Sequence, residues 1–188
     1  MKDNTCYNQL SMLLSDILIP TGYKLTHDVE LDLWPENSKY CAFNFGLNNK
    51  RIIYRKAKLT LERPGAFLTL WQRPSLHSST DNKPIPLKST DLDYLFIRVQ
   101  DSTADRDGLF IFPVTTLVEQ GVVSSDKNKG KTAFRVFPPW SEDRGLTGTK
   151  VFSVSGKKAQ AWQLPYYVEI KKKGHNDNLL LEKIFTIE

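Results

Sequence analysis

The feature that most constrains this chain is a change of period along it. Up to residue 18 the apolar residues recur at helical spacing. From Tyr40 onward they fall into short runs rich in aromatic and β-branched side chains, each bounded by turn signals. In the first part, Tyr7, Leu10, Leu13, Leu14, Ile17 and Leu18 share a helical face, with Asp3, Asn4 or Thr5 available as N-cap and Pro20-Thr21-Gly22 as a stop. An amphipathic helix over about 5–18 is therefore expected to open the domain. The runs 40–47, 51–60, 66–72, 94–100, 109–112 and 133–137 predict strands, separated by Asn48-Asn49, Arg63-Pro64-Gly65 and a long polar loop from Pro74 to Ser89. A short helix is expected from Thr115 or Thr116, as the capping residue, to Gly121. A second is expected within Lys157 to Trp162, before Pro165 ends it. Leu179 to Ile187 reads as a strand or a final helical turn. No repeat, low-complexity tract or linker divides the 188 residues, a length at the upper end of one domain. The expected fold is α+β: a mainly antiparallel, curved sheet with an N-terminal amphipathic helix and a few short helices.

Composition excludes some classes. The early apolar stretch from Leu10 to Ile19 is broken by Ser11, Ser15 and Asp16 and lacks a small-residue cleavage site, so neither a signal peptide nor the roughly 20 apolar residues of a membrane span is read. A cytoplasmic protein with no membrane partner is expected. Cys6 and Cys41 have no second cysteine beside either, which offers no zinc spacing and no disulfide framework; two buried free thiols in a reducing compartment are expected. A net charge of +5 and a pI near 9.1 favour phosphates or acidic surfaces without specifying chemistry.

The informative cations are interleaved with aromatics. Lys50-Arg51-Ile52-Ile53-Tyr54-Arg55-Lys56-Ala57-Lys58 reads as a strand, yet alternation puts Arg51 and Arg55 with Ala57 on one face and Lys56 and Lys58 with Tyr54 on the other. Charge on both faces suits either an edge strand kept soluble by lysine or a strand whose cations await an anion. In the next run Ala66, Leu68 and Leu70 form a core face. Phe67, Thr69, Trp71 and Arg73 form a second, suited to stacking and to fork-like contact with phosphate; a tryptophan shielding the core with the arginine lying past it is the competing reading. Gly130-Lys131 and Arg135-Val136-Phe137-Pro138-Pro139-Trp140 repeat the theme, with two prolines fixing the exit from the strand. Gly130-Lys131 is not a P-loop, because Ser125 stands where the upstream glycine is required. The Lys171-Lys172-Lys173 run reads as a solvated surface.

Catalytic signals are sparse. His27, His77 and His175 are scattered, and no serine or cysteine lies in a nucleophile motif. Asp91 and Asp93 precede a strand, and Glu36 lies near Lys39. Acids and lysines gathered at strand ends can hold a divalent ion, but acids beside strands more often cap turns.

The segments Arg55-Lys56-Ala57-Lys58-Leu59-Thr60, Gly65 to Arg73, Gly108-Leu109-Phe110-Ile111-Phe112-Pro113, Gly130-Lys131, Arg135 to Trp140 and Ala159-Gln160-Ala161-Trp162-Gln163, in this order, resemble the MepB family over about positions 36–168. Ala66 stands where the family more often has a larger polar residue, and the loop from Leu76 to Pro86 is longer than its pattern. The resemblance implies the fold, a nucleic-acid- or nucleotide-binding role and an association with a drug-resistance operon, and it transfers no catalytic residue or cofactor. The expected interface is a basic groove of Arg55, Lys56, Lys58, Arg73, Lys131 and Arg135, with Trp71, Trp140 and Trp162 as stacking surfaces. Two alternatives stand beside it: a metal-dependent nuclease using Asp91, Asp93 or Glu36 with Lys56 or Lys58, and a regulatory module whose tryptophans line a pocket for a small molecule or protein.

Overall fold

The computed structural model describes residues 4–60, 62–74, 82–141 and 151–171. Helix α1 (Asn4–Leu13) runs on into a wider turn at Leu14–Leu18, as the helical spacing predicts. The strands are β1 (Leu25–Leu31), β2 (Phe43–Leu47), β3 (Lys50–Thr60), β4 (Arg63–Thr69), β5 (Trp71–Gln72), β6 (Ile85–Pro86), β7 (Tyr94–Asp101), β8 (Arg106–Pro113), β9 (Ala133–Val136) and β10 (Tyr167–Glu169). Helices α2 (Val114–Glu119) and α3 (Val154–Gln163) complete the set, with short 3₁₀ turns at Pro35–Tyr40 and Leu164–Tyr166.

The main sheet has the order β1-β2-β3-β7-β8-β10, while β4 pairs with β3 and β9 with β4. Pairing is antiparallel except between β3 and β7, which run parallel from Ile52 opposite Tyr94 to Ala57 opposite Val99. The long strand β3 is thus interior, not an edge: β2, β7 and β4 all pair with it.

Burial of both faces explains the near-continuous apolar runs of β7 and β8. Tyr94, Phe96, Leu109 and Ile111 turn to one side, where Leu10, Leu13, Leu14, Ile17 and Leu18 of the first helix cover them. Leu95, Ile97, Val99, Phe110 and Phe112 turn to the other, against Leu68, Leu70, Leu117 and Val136. Leu10 and Leu18 are fully buried, each contributing about 1.5–3 kcal/mol. The first cluster is also cross-linked. Cys6 of α1 and Cys41, in the left-handed region with φ 46° after the first 3₁₀ turn, form a disulfide with a Cα–Cα distance of 5.3 Å. This corrects the expectation of free thiols: packing α1 beside the start of β2 brings together residues that spacing alone leaves apart.

Strand β1 was not visible in the sequence, because nearly all its residues are exposed and it shows no apolar run. Helix α3 begins at Ser153, whose Oγ accepts from the Gly156 N–H, and gives way to a 3₁₀ turn at Pro165. Helix α2 starts after Pro113 with no side-chain cap, so neither Thr115 nor Thr116 caps it. Thr116 Oγ1 instead shares a hydrogen bond with the Tyr166 hydroxyl. Among the described residues no helix is long and apolar enough to cross a membrane. The segment Leu179 to Ile187, His77, His175, Lys172 and Lys173 lie outside the described residues.

Candidate functional site

The structure sorts the cations by whether a carboxylate already neutralises them. Arg51 meets Asp93 at 2.9 Å, Arg55 meets Asp32 at 2.6 Å, Arg73 meets Glu36 at 2.7 Å and Arg98 meets Asp107 at 2.7 Å. Arg55 is the clearest correction to the expected groove. Its side chain is 0% exposed, with one nitrogen donating to the Tyr54 carbonyl at 2.9 Å. Burial pulls its pKa below the ordinary arginine range, against the opposing effect of Asp32. Asp32 is itself organised by the Trp34 N–H and by fully buried Asn37, whose Oδ1 accepts from Thr69. Arg55 therefore holds the interior together and cannot reach a polyanion.

Others also leave the groove. Lys56 is half-buried and donates to Gln9 Oε1 of α1 at 2.8 Å, and burial, then the nearby Arg98, lowers its pKa. Arg73 lies over the Trp71 ring, 5.0 Å from its centroid, and donates to Glu36 and to the Asn82 carbonyl. Trp140 stands edge-on to Tyr167 at 5.6 Å, beside Arg106 rather than beside the remaining cations.

Lys58, Arg135 and Lys131 remain, and the register brings two of them into one row: Lys58 lies opposite Phe67 of β4, and Phe67 opposite Arg135 of β9. Directly opposed residues share a face. The Arg135 guanidinium lies 5.8 Å from the Phe67 centroid, and the Phe67 ring meets the Tyr40 ring at 6.2 Å. Lys58 and Lys39 approach the Tyr40 ring at 5.6 and 5.4 Å. Cations and rings therefore alternate along the row, each cation within reach of a π face.

A bulge between β3 and β4 aims Arg135. The register slips between Leu59 and Thr60, leaving Pro64 and Gly65 as additional residues. Gly65 has φ 76°, and a Cβ there would stand 2.6 Å from the Val136 carbonyl and from the Phe137 ring, so only glycine fits. The bulge turns the Pro64 and Gly65 carbonyls toward Arg135, which donates to both and to Thr60 Oγ1. These acceptors are neutral, so the guanidinium is fixed but its charge is not cancelled. Burial, then repulsion from Arg63, lowers its pKa. Among the described residues, Lys39, Lys58, Arg63, Lys131 and Arg135 make no ion pair with a carboxylate.

Beside β9 the row opens into a cavity of about 650 Å³, bounded by Arg63, Lys131 and Arg135 and by Phe67, Phe134 and Trp162, with no acid among the described residues of its lining. Helix α3 forms the far wall. It is fastened by fully buried Gln163, whose Oε1 accepts from the Phe137 N–H at 2.8 Å and whose Nε2 donates to the Arg135 carbonyl at 3.1 Å. Of the residues put forward from sequence, Lys131, Arg135 and Trp162 line this cavity and Lys58 extends it. Sequence reasoning missed Arg63, hidden in a turn signal, and Lys39 and Tyr40, which join from a distant segment. Alternation along β4 already places Phe67 on this face.

The carboxylates are occupied elsewhere. Asp91 accepts from the Lys88 N–H and from Gln72, and Asp93 accepts from the Arg51 backbone and side chain. Arg51, by its hydrogen bond, holds the Asp93 carboxyl below its ordinary range, and Arg73 does the same for Glu36. Among the described residues no three histidine, cysteine, aspartate or glutamate side chains are grouped to hold a metal. A second cavity, of about 600 Å³, is mainly acidic: Asp28, Glu30, Asp32 and Asp91 line it together with Arg51 and His27.

A family model described as MepB-like matches residues 35–169. A solved structure described as the crystal structure of MepB superposes with a TM-score of 0.64 at 28% identity, covering 88% of this chain and 98% of that one. The structure of a bacterial homing endonuclease aligns with a TM-score of 0.42 at 11% identity, covering 100% of this chain and 96% of that one, a likeness too loose to bear on function. No curated protein matches the chain.

Proposed function

The chain belongs to the MepB-like family, and from the distribution of its charge we propose that it binds nucleic acid along the β3–β4–β9 face. The observation that carries this reading is the row Lys58–Phe67–Arg135 with its neighbours Lys39, Tyr40, Arg63 and Lys131. In it, cations without carboxylate partners among the described residues alternate with aromatic rings. Uncompensated cations clustered around rings suit a ligand that is itself an alternation of phosphates and flat bases. Phosphate contact supplies affinity by releasing counterions, and stacking supplies a part that salt does not erode.

Fluorescence anisotropy with short labelled oligonucleotides at two salt concentrations tests this reading. Engagement of about four phosphates makes log K fall with log salt at a slope near −3, since each contact contributes about 0.7–0.9. Lys58→Glu, at an exposed position, weakens binding and flattens the slope by about one unit or more. No binding at about 50 mM salt, or a Lys58→Glu variant that binds as tightly as the parent, sinks the reading.

A further inference from the structure

We infer that the cavity beside β9 takes a single unstacked nucleotide, making the protein a reader of single strands in preference to duplex; this rests on the nucleic-acid reading above. The open row of Lys58, Phe67 and Arg135 does not by itself distinguish the two forms, because both present phosphates. The cavity does. At about 650 Å³ it falls within the 300–1,000 Å³ typical of pockets for one small ligand, which suits one nucleotide and excludes a paired, stacked duplex.

Its chemistry is divided in the manner a nucleotide requires. Trp162 and Phe134 lie nearly parallel, with centroids 6.1 Å apart and planes at 27°, and Phe112 backs Trp162 at 5.4 Å. Phe112 and Phe134 belong to the core, so the surface offered to a base is the partly exposed ring of Trp162, fixed in place by the two rings behind it at little cost in side-chain ordering. Around the edge of β9, on the other face of that strand, the Arg135 guanidinium lies over Phe67 and is held by the Pro64 and Gly65 carbonyls, a fixed plane that can meet a phosphate in fork geometry. Arg63 and Lys131 complete a cationic rim for the phosphate. Three cations and no acid among the described lining residues favour an anion, and the tryptophan surface favours one carrying a flat ring. In a duplex, base faces are covered by their neighbours, so using this surface requires extrusion of a base, at a cost a single strand does not bear.

The experiment is competition. A labelled single-stranded oligonucleotide is bound to the full chain and displaced by unlabelled single strand, by blunt duplex of equal length and by nucleoside monophosphates, with protein fluorescence followed in parallel. Expected results are a single-strand preference of about tenfold or more, quenching of tryptophan emission on saturation by the single strand, and loss of that quenching in Trp162→Phe. Ala159→Trp, which fills the cavity from α3 without removing a cation, abolishes the preference. Equal displacement by duplex and single strand on the unaltered protein overturns the inference and leaves the proposed face standing. An unchanged preference in folded Ala159→Trp overturns it too. Failure of every nucleic acid to bind brings down both.

Discussion

Asp32→Ala is the perturbation that separates a structural Arg55 from a ligand-binding one. In the native protein the Asp32 carboxylate contacts a guanidinium with 0% side-chain exposure, at 2.6 Å, and is itself 10% exposed. It also accepts from the Trp34 N–H at 2.9 Å and from Asn37 Nδ2 at 3.1 Å. Removing it leaves a buried, uncompensated positive charge whose Nε already has no partner. Breaking a buried pair from one side costs about 3–5 kcal/mol, and the two further lost hydrogen bonds place the effect at the upper end, about 5 kcal/mol. Urea denaturation followed by far-UV circular dichroism measures it as a fall in midpoint at constant slope. The double variant Asp32→Leu/Arg55→Met removes both charges while keeping apolar volume, so it is expected to recover at least about 2 kcal/mol relative to Asp32→Ala. A cost below about 1 kcal/mol for Asp32→Ala, or a double variant less stable than the single, would falsify the assignment of Arg55 to the interior network.

Further outcomes follow from particular contacts. Cys6 and Cys41 close a loop with a sequence separation of 35. Reductant or Cys6→Ser should therefore lower stability by about 4 kcal/mol on the chain-entropy model, and two thiols titrating in urea without reductant would contradict the cross-link. Burial pushes the Tyr54 hydroxyl from its ordinary value near 10 up to about 12. The folded state thus holds a proton that the unfolded state releases. Stability from this group is complete below pH 10 and is lost as pH rises toward 12, by about 2–3 kcal/mol; Tyr54→Phe should flatten that decline, and an unchanged alkaline profile would count against it. Gln163→Leu leaves the Phe137 N–H and the Arg135 carbonyl without their side-chain partner. A loss of about 2–5 kcal/mol is expected in the same urea assay, with a change under about 0.5 kcal/mol arguing against the clamp.

What was legible in the sequence was whatever local periodicity encodes. The helical face from Tyr7 to Leu18, the paired runs of β7 and β8, and the division of β4 into Ala66, Leu68 and Leu70 against Phe67 and Thr69 all follow from side chains meeting water or core at a fixed repeat. Partnership across the fold was not legible. Arg55 and Lys58 belong to one cationic run, yet one is sealed against Asp32 and the other projects beside Tyr40, because acids on other elements choose among the cations. Adjacency between Phe67 and Arg135 depends on register, and Arg63 joins them only because the bulge at Pro64-Gly65 folds the turn back toward β9. Cysteine pairing failed for the same reason: spacing carries no information on which helix face meets which strand end.

Hydrogen–deuterium exchange of the full chain, with and without saturating single-stranded oligonucleotide, reports which face of the protein a bound strand covers. Slowed exchange is expected in β4, β9 and the first turn of α3, with β1 and the Arg106–Trp140 surface unchanged. Protection confined to β1 or to the Trp140 side, with β4 and β9 exchanging as in the free protein, would contradict binding along the β3–β4–β9 face.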